Sequence, residues 1–220
     1  TGVARQARGM RLAPDGATLY VLCGNPRRLV ALSLTSLKPQ WSVALAGDPL
    51  DFDVSNDGNW IAISYGAEGW IQLLDTARRG SGRRIETGGQ AGVLRFQSDS
   101  SQLIAANAGE RMLNIYQTAT GRLVTKLPLS LRPDRFCFTA DGGQLFVTGE
   151  GMDAVVVVYP YFTPQIGETV LAGHAPGAMA ASQDFLFVAN SESRDVSILD
   201  AASKKVVAVA PAGNNPGFIT

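Results

Sequence analysis

Arg11-Leu12-Ala13-Pro14-Asp15-Gly16-Ala17-Thr18-Leu19-Tyr20-Val21 runs from a strand-like segment through a small polar turn into an apolar strand. Forty-two residues later the order returns as Asp53-Val54-Ser55-Asn56-Asp57-Gly58-Asn59-Trp60-Ile61-Ala62-Ile63. The turn recurs at Ser98-Asp99-Ser100 and Ala140-Asp141-Gly142, and in shorter form at Ser182-Gln183-Asp184. Asp15, Asp57, Asp99 and Asp141 are each 42 residues apart. A repeat of about 42 residues made only of strands and turns predicts an all-β fold, a β-propeller with one four-stranded blade per repeat. Asp-Gly suits the tight turn because glycine takes a positive φ without steric cost.

Aligned on the aspartates, each unit reads as four strands. Strand A covers 9–13, 51–55, 93–97, 135–139 and 177–181, and strand B 19–22, 60–64, 103–106, 145–148 and 185–189. Strand C covers 29–34, 70–74, 112–117, 154–159 and 196–199, and strand D 40–45, 84–87, 123–127, 168–171 and 205–210. Val, Ile, Leu, Phe and Tyr fill them, as packing between blade faces requires. The blades run over about 5–46, 47–88, 89–130, 131–172 and 173–214, in one continuous domain. Residues 1–4 read as the tail of a preceding blade and 215–220 as the start of a further strand A. The expectation is a segment of a larger ring of seven such blades. The alternative is a small ring that closes on itself.

Composition narrows the function. The 220 residues are 45% hydrophobic and 17% charged, enough for a packed core. Lys plus Arg and Asp plus Glu both number 19, so no basic field is present to recruit DNA or RNA. No run of 18 apolar residues occurs, so no membrane span is expected. No signal peptide is visible, and the chain starts at Thr1 rather than Met, compatible with a removed leader. Cys23 and Cys137 fall at different phases of the repeat and are expected as two thiols.

The last unit carries Leu186-Phe187-Val188-Ala189-Asn190-Ser191, Val196-Ser197-Ile198-Leu199-Asp200, Lys205-Val206-Val207-Ala208-Val209 and Gly213-Asn214-Asn215-Pro216. This resembles the YVTN-type bacterial propeller repeat. Leu19-Tyr20-Val21 and Ile71-Gln72-Leu73-Leu74-Asp75 follow the pattern more loosely. The Gly-His and Trp-Asp pairs of WD repeats do not recur. The resemblance implies a propeller and, because such proteins are often exported, a periplasmic or extracellular location. It implies activity only weakly: relatives include lactone hydrolases and haem-binding propellers.

Positions 42 apart share a place in successive blades. One ring, just before strand A at the mouth of the channel, is Gln6, Asp48, Gln90, Arg132 and His174, with Asn215 one residue early. All can hydrogen-bond. A deeper ring is Arg11, Asp53, Arg95, Cys137 and Met179, in which Arg11, Asp53 and Arg95 alternate in sign and read as channel ion pairs. Positions 9, 51, 93, 135 and 177 give a third set, Gly9, Asp51, Val93, Arg135 and Gly177. The B–C turns add mixed charges, among them Arg27, Glu68, Glu150, Asp153 and Glu192.

A single histidine cannot make a multi-His metal site, and no phosphate loop, Cys-x-x-Cys pair, zincin helix or nucleophile elbow occurs. No catalytic constellation, cofactor or metal is therefore expected. The reading is a non-enzymatic scaffold that presents a polar channel mouth to a protein or a small polar ligand. The first alternative is a lactonase-like hydrolase using Arg132, His174 and Asp48, with Asp48 across the ring from His174. The second is nucleic-acid binding, to which the four-arginine loop at 78–84 points and the neutral charge balance does not.

Overall fold

The structure, a computed structural model, describes residues 6–79 and 82–219. The stub read over residues 1–4 and the centre of the arginine loop at 80–81 lie outside the described residues. Five four-stranded sheets follow one another along the chain. The first holds β1 (Gln6–Leu12), β2 (Thr18–Asn25), β3 (Arg27–Ser33) and β4 (Pro39–Ala44). The second holds β5 (Asp51–Val54), β6 (Trp60–Ser64), β7 (Trp70–Asp75) and β8 (Arg83–Glu86). The third holds β9 (Leu94–Phe96), β10 (Gln102–Asn107), β11 (Met112–Gln117) and β12 (Leu123–Pro128). The fourth holds β13 (Arg132–Phe138), β14 (Leu145–Glu150), β15 (Ala154–Tyr159) and β16 (Gln165–Leu171). The fifth holds β17 (Pro176–Ala181), β18 (Phe185–Asn190), β19 (Asp195–Asp200) and β20 (Lys205–Pro211). Strand order within every sheet is sequence order. The predicted strands A to D therefore appear in all five repeats.

Some boundaries moved. β1 and β13 begin three residues earlier than the repeat suggested. A register shift in each, at Ala7/Gly9 and at Pro133/Arg135, admits an extra residue so that pairing continues toward the second strand's end. β17 carries a shift in the same region, between Pro176 and Met179. β9 keeps only three residues.

The described residues gather into two compact units, one reaching to Asn107 with Asn114–Val124, the other holding Ala108–Leu113 with Thr125 onward. In the first unit, Leu22 and Leu29 of one sheet pack with Phe52, Ile61 and Ile63 of the next, all fully buried. Ile71 and Leu73 do the same with Leu94 and Leu103. In the second unit, Phe146, Val155 and Val157 pack with Leu186, Val188 and Leu199. Burying each such side chain contributes about 1.5–3 kcal/mol, so the sheet-to-sheet contact carries most of the stability.

The A–B turns explain the recurring aspartate. Asp15 Oδ1 accepts from Ala17 N at 2.8 Å and Thr18 N at 3.0 Å; Asp57, Asp99 and Asp141 each accept from the N–H two residues on. Hydrogen bonds from Ala17 N at Asp15, and from the Thr139 hydroxyl at Asp141, hold both carboxyls below their ordinary range. The next residue takes a positive φ in all four: Gly16, Gly58, Ser100 and Gly142. Ser100 adopts φ 62° without being glycine, and its hydroxyl accepts from Asp57 N at 3.1 Å, linking consecutive turns.

A second recurring contact sets the opposite end of each sheet. Gly47, Gly89 and Gly173 lie in the loops leading into β5, β9 and β17. A Cβ on Gly47 would come within 2.7 Å of the Tyr65 ring, one on Gly89 within 2.5 Å of the Asn107 amide, and one on Gly173 within 2.7 Å of Asn190. Tyr65, Asn107 and Asn190 occupy one repeat position at or just after the end of the second strand. In the fourth sheet the pattern inverts. Leu131 replaces the loop glycine, Gly149 stands at the strand's end, and a Cβ there would overlap the Arg132 carbonyl. Gly149→Ala is thus expected to lower stability by about 1–3 kcal/mol in urea denaturation. Gly177→Ala, whose Cβ would meet nothing nearer than 3.9 Å, should leave it nearly unchanged.

Candidate functional site

The glycine seats decide where the mouth residues go, since Asp48, Gln90 and His174 each follow one. Asp48 is half-buried, and Gln90 and His174 are exposed. Gln6 and Arg132 are not loop residues as expected but the first residues of β1 and β13, because the bulges extend those strands. Asn215 follows β20, exposed, with φ 54°.

In the first unit Asp48 is the hub. Arg8 Nη2 lies 2.9 Å from its carboxylate and Arg27 Nε 3.6 Å. Arg8 also donates to the Pro49 carbonyl at 2.7 Å. Asp48 N donates to Glu68 Oε1 at 2.9 Å, and Trp70 Nε1 to Glu68 Oε2 at 3.1 Å. The bond from Asp48 N is the main reason the Glu68 carboxyl is held below its ordinary range. Trp70 stacks on Tyr65 with centroids 3.7 Å apart. The loop is thus locked from glycine to tryptophan.

The deeper ring forms ion pairs, joined by Asp51 of the third set. Arg11 reaches Asp51 at 3.4 Å and Asp53 at 3.5 Å, and Arg95 Nη1 lies 2.8 Å from Asp51. Leu94 N and Phe96 N donate to Asp51 and Asp53 at 3.2 and 2.9 Å. Burial pushes the Asp53 carboxyl up, opposed by Arg95, the Phe96 N–H and Arg11. Two arginines against two aspartates leave no net charge for an anion.

In the second unit His174 Nδ1 lies 2.6 Å from Asp153 Oδ2, and Asp153 Oδ1 accepts from Ala175 N at 3.0 Å. His174 N donates to Ser193 Oγ at 3.0 Å. Nε2 has no hydrogen-bond partner among the described residues. Beside the pair is a cleft of about 300 Å³ lined by Gly149, Glu150, Gly151, Met152, Asp153, Ala175 and Glu192. Glu150 is met by Arg132 at 3.3 Å, whereas Glu192 has no ion-pair partner among the described residues. The Asp153 bond is the largest cause of a raised His174 pKa. The Ala175 N–H and then His174 lower that of Asp153.

No family model matches the sequence. An uncharacterised WD repeat-containing protein of Synechocystis sp. is 28% identical over 149 residues, 64% of this chain. The chain spans 40% of that relative's length. A functionally unknown protein of Desulfotomaculum acetoxidans superposes with a TM-score of 0.78 at 18% identity, covering 97% of this chain and 74% of that one. The hydrazine synthase of Kuenenia stuttgartiensis gives a TM-score of 0.62 at 14% identity, covering 98% and 90%. This chain is a β-propeller repeat protein. The blades can accordingly be compared position by position.

Arg27 in blade one and Asp153 in blade four stand at equivalent positions, as do Asp48 and His174. The contact between a B–C turn and the next blade's loop recurs with its charges exchanged: Arg27–Asp48 in one unit, Asp153–His174 in the other. The arginine loop is absorbed by its own protein. Arg78 meets Asp75, Arg79 lies over Trp41, Arg83 donates to the Ala119 carbonyl, and Arg84 meets Glu86 and lies 4.3 Å above Trp70. Among the described residues no group of three or more His, Cys, Asp or Glu could hold a metal ion. No helix there is long and apolar enough to cross a membrane. Cys23 is buried and Cys137 half-buried, each a thiol.

Asp51→Ala removes the carboxylate shared by Arg11 and Arg95, leaving Asp53 to face both, and takes the acceptor from the Leu94 N–H. A loss of about 1–3 kcal/mol is expected in urea denaturation, with Asp51→Asn costing less because it keeps an acceptor. Proton resonance titration of the lone histidine should give a midpoint above the ordinary 6.5, and Asp153→Asn should return it toward that value. A raised histidine pKa stabilises fully below its unfolded value. That contribution vanishes as pH climbs through the folded midpoint. The lowered Asp153 carboxyl works in the opposite sense, its contribution vanishing as acid titrates it.

Proposed function

We propose that this protein is a non-catalytic binding module of the YVTN type, working in the periplasm or outside the cell. Its ligand on this reading is a basic side chain, lysine or arginine, of a protein partner, received in the cleft beside His174. The observation that carries the reading is an imbalance. Glu192 and Asp153 face one cleft, and the cation against Asp153 is an imidazole that loses its charge on the alkaline side of its raised pKa. With His174 neutral, two carboxylates are left for an incoming cation. An arginine fork or a lysine ammonium fits such a place.

Binding is favoured over hydrolysis by the state of the remaining mouth charges. Asp48 is held by Arg8 and Arg27, and Arg132 by Glu150, all in partly exposed pairs. Catalytic groups are made by burial, and these pairs stand partly in solvent. The Ser193 hydroxyl nearest His174 accepts from that residue's own backbone N–H rather than from the ring.

A short arginine peptide titrated into the protein should shift the resonances of Glu192, Asp153 and His174. Binding should strengthen above the His174 midpoint, where imidazolium no longer competes, and weaken about tenfold in Glu192→Gln, the loss of one charge-assisted contact. Equal affinity for Glu192→Gln would sink the cleft. Lactone or ester turnover that disappears in His174→Ala would overturn the non-catalytic reading.

A further inference from the structure

The C–D turns, at the other end of the sheets, follow one scheme in four blades. A polar residue at the end of strand C turns its side chain back onto the turn. Ser33 Oγ accepts from Ser36 N, Asp75 Oδ1 from Ala77 N and Arg78 N, Gln117 Oε1 from the Thr120 hydroxyl, and Asp200 Oδ1 from Ala202 N and Ser203 N. The same residue's carbonyl then takes the N–H of a left-handed residue four positions on: Leu37, Arg79, Gly121 or Lys204, at 2.7–3.0 Å.

Blade four abandons both devices. Tyr159 stands where the capping residue belongs, and its hydroxyl donates away from the turn to Glu168 Oε2 at 2.9 Å. Among the described residues neither Phe162 N nor Thr163 N makes the closing bond. Pro160 and Pro164 bracket the segment, fixing φ and removing two donors. Phe162 takes the left-handed conformation, φ 58°, with its ring wholly in solvent at 106% relative exposure. A bulky residue resists that conformation, and no packing within the chain offsets it.

Around this turn lies a hollow of about 490 Å³ lined by Gly143, Tyr159, Tyr161, Phe162, Thr163 and Gln165. The size is that of a ligand site. Three aromatic rings supply its apolar walls, three hydroxyls and an amide supply neutral hydrogen-bonding groups, and no charged residue lines it. We propose that this hollow is a second binding site, taking a proline-rich extended peptide of a partner protein. Such a chain offers what this surface can use. Its pyrrolidine rings pack on aromatic faces, and its carbonyls accept from side-chain donors. The contact strip needs no charge, and its extended form is already ordered before binding.

A fluorescein-labelled decaproline tests the site by anisotropy, against a decamer of alternating Ala and Gly. Phe162→Ala, at a fully exposed position that leaves the fold intact, should weaken decaproline binding at least tenfold. Gln165→Ala should weaken it less, and Glu192→Gln, in the distant cleft, not at all. No decaproline binding at millimolar concentration overturns the proposal. So does equal affinity of wild type and Phe162→Ala. Cellohexaose displacing or replacing the peptide would assign the rings to a carbohydrate. Self-association in sedimentation that Phe162→Ala abolishes would assign them to a second copy of this chain.

Discussion

The functional geometry of this propeller depends on one steric constraint: how closely the loop entering a blade approaches the end of that blade's second strand. A loop that arches over the strand end must pass the side chain planted there, and only glycine passes Tyr65, Asn107 or Asn190 without a collision. Two of those side chains are matched across the B–C hairpin. Tyr65 donates to Gln72 at 2.5 Å and Asn190 to Ser197 at 2.9 Å. The corresponding positions are apolar or small together in blades one and four, Cys23 with Val30 and Gly149 with Val156. A buried polar group needs a partner, so the two positions change as a pair. The seat fixes the loop, and the loop fixes the residue after the glycine.

Because the seat holds the backbone, the next side chain is free to vary in charge without loss of fold. Asp48 and His174 occupy the same place with opposite character, and the facing turn residue changes sign to match, Arg27 in one case and Asp153 in the other. Exposed pairs of this kind add little stability, on the order of 0–1 kcal/mol. Their value lies in setting which charges are left over. Around Asp48 two arginines and one aspartate meet Glu68, and nothing is left over. Around His174 the balance depends on whether the imidazole is protonated, and Glu192 stands outside it.

The strand grouping was legible because it rests on periodicity: aspartates 42 apart carry the A–B turns, and alternating apolar residues carry the blade faces. The site was legible only in part. Asp48 and His174 could be placed by phase, and Arg27, Glu68 and Asp153 could be assigned to turns. Their pairing could not be read, since it joins residues about 20 apart whose approach depends on the glycine seat. The role of Asp51 was within reach. Residues 51 and 53 share a face of one strand by the period of two, so a belt containing Asp53 should contain Asp51 as well. The bulges that draw Gln6 and Arg132 into strands leave no sequence signal.

A repeat protein also shows function by subtraction. Where every blade keeps a device, that device serves packing; where one blade drops it without compensation, another pressure has acted there. Blade four drops the C–D device that the other four keep, and departs from two further devices seen in blades two, three and five. Its glycine seat is inverted. Its B–C turn moves the left-handed residue from the position of Gly69, Arg111 and Arg194 to Gly151, at φ 105°, and so releases Asp153 to face His174. Its C–D turn trades a polar cap for an exposed aromatic segment. The acidic cleft lies at the first two departures and the aromatic hollow at the third. The hollow does not follow from what folding a blade requires, because the other four blades close this turn without it.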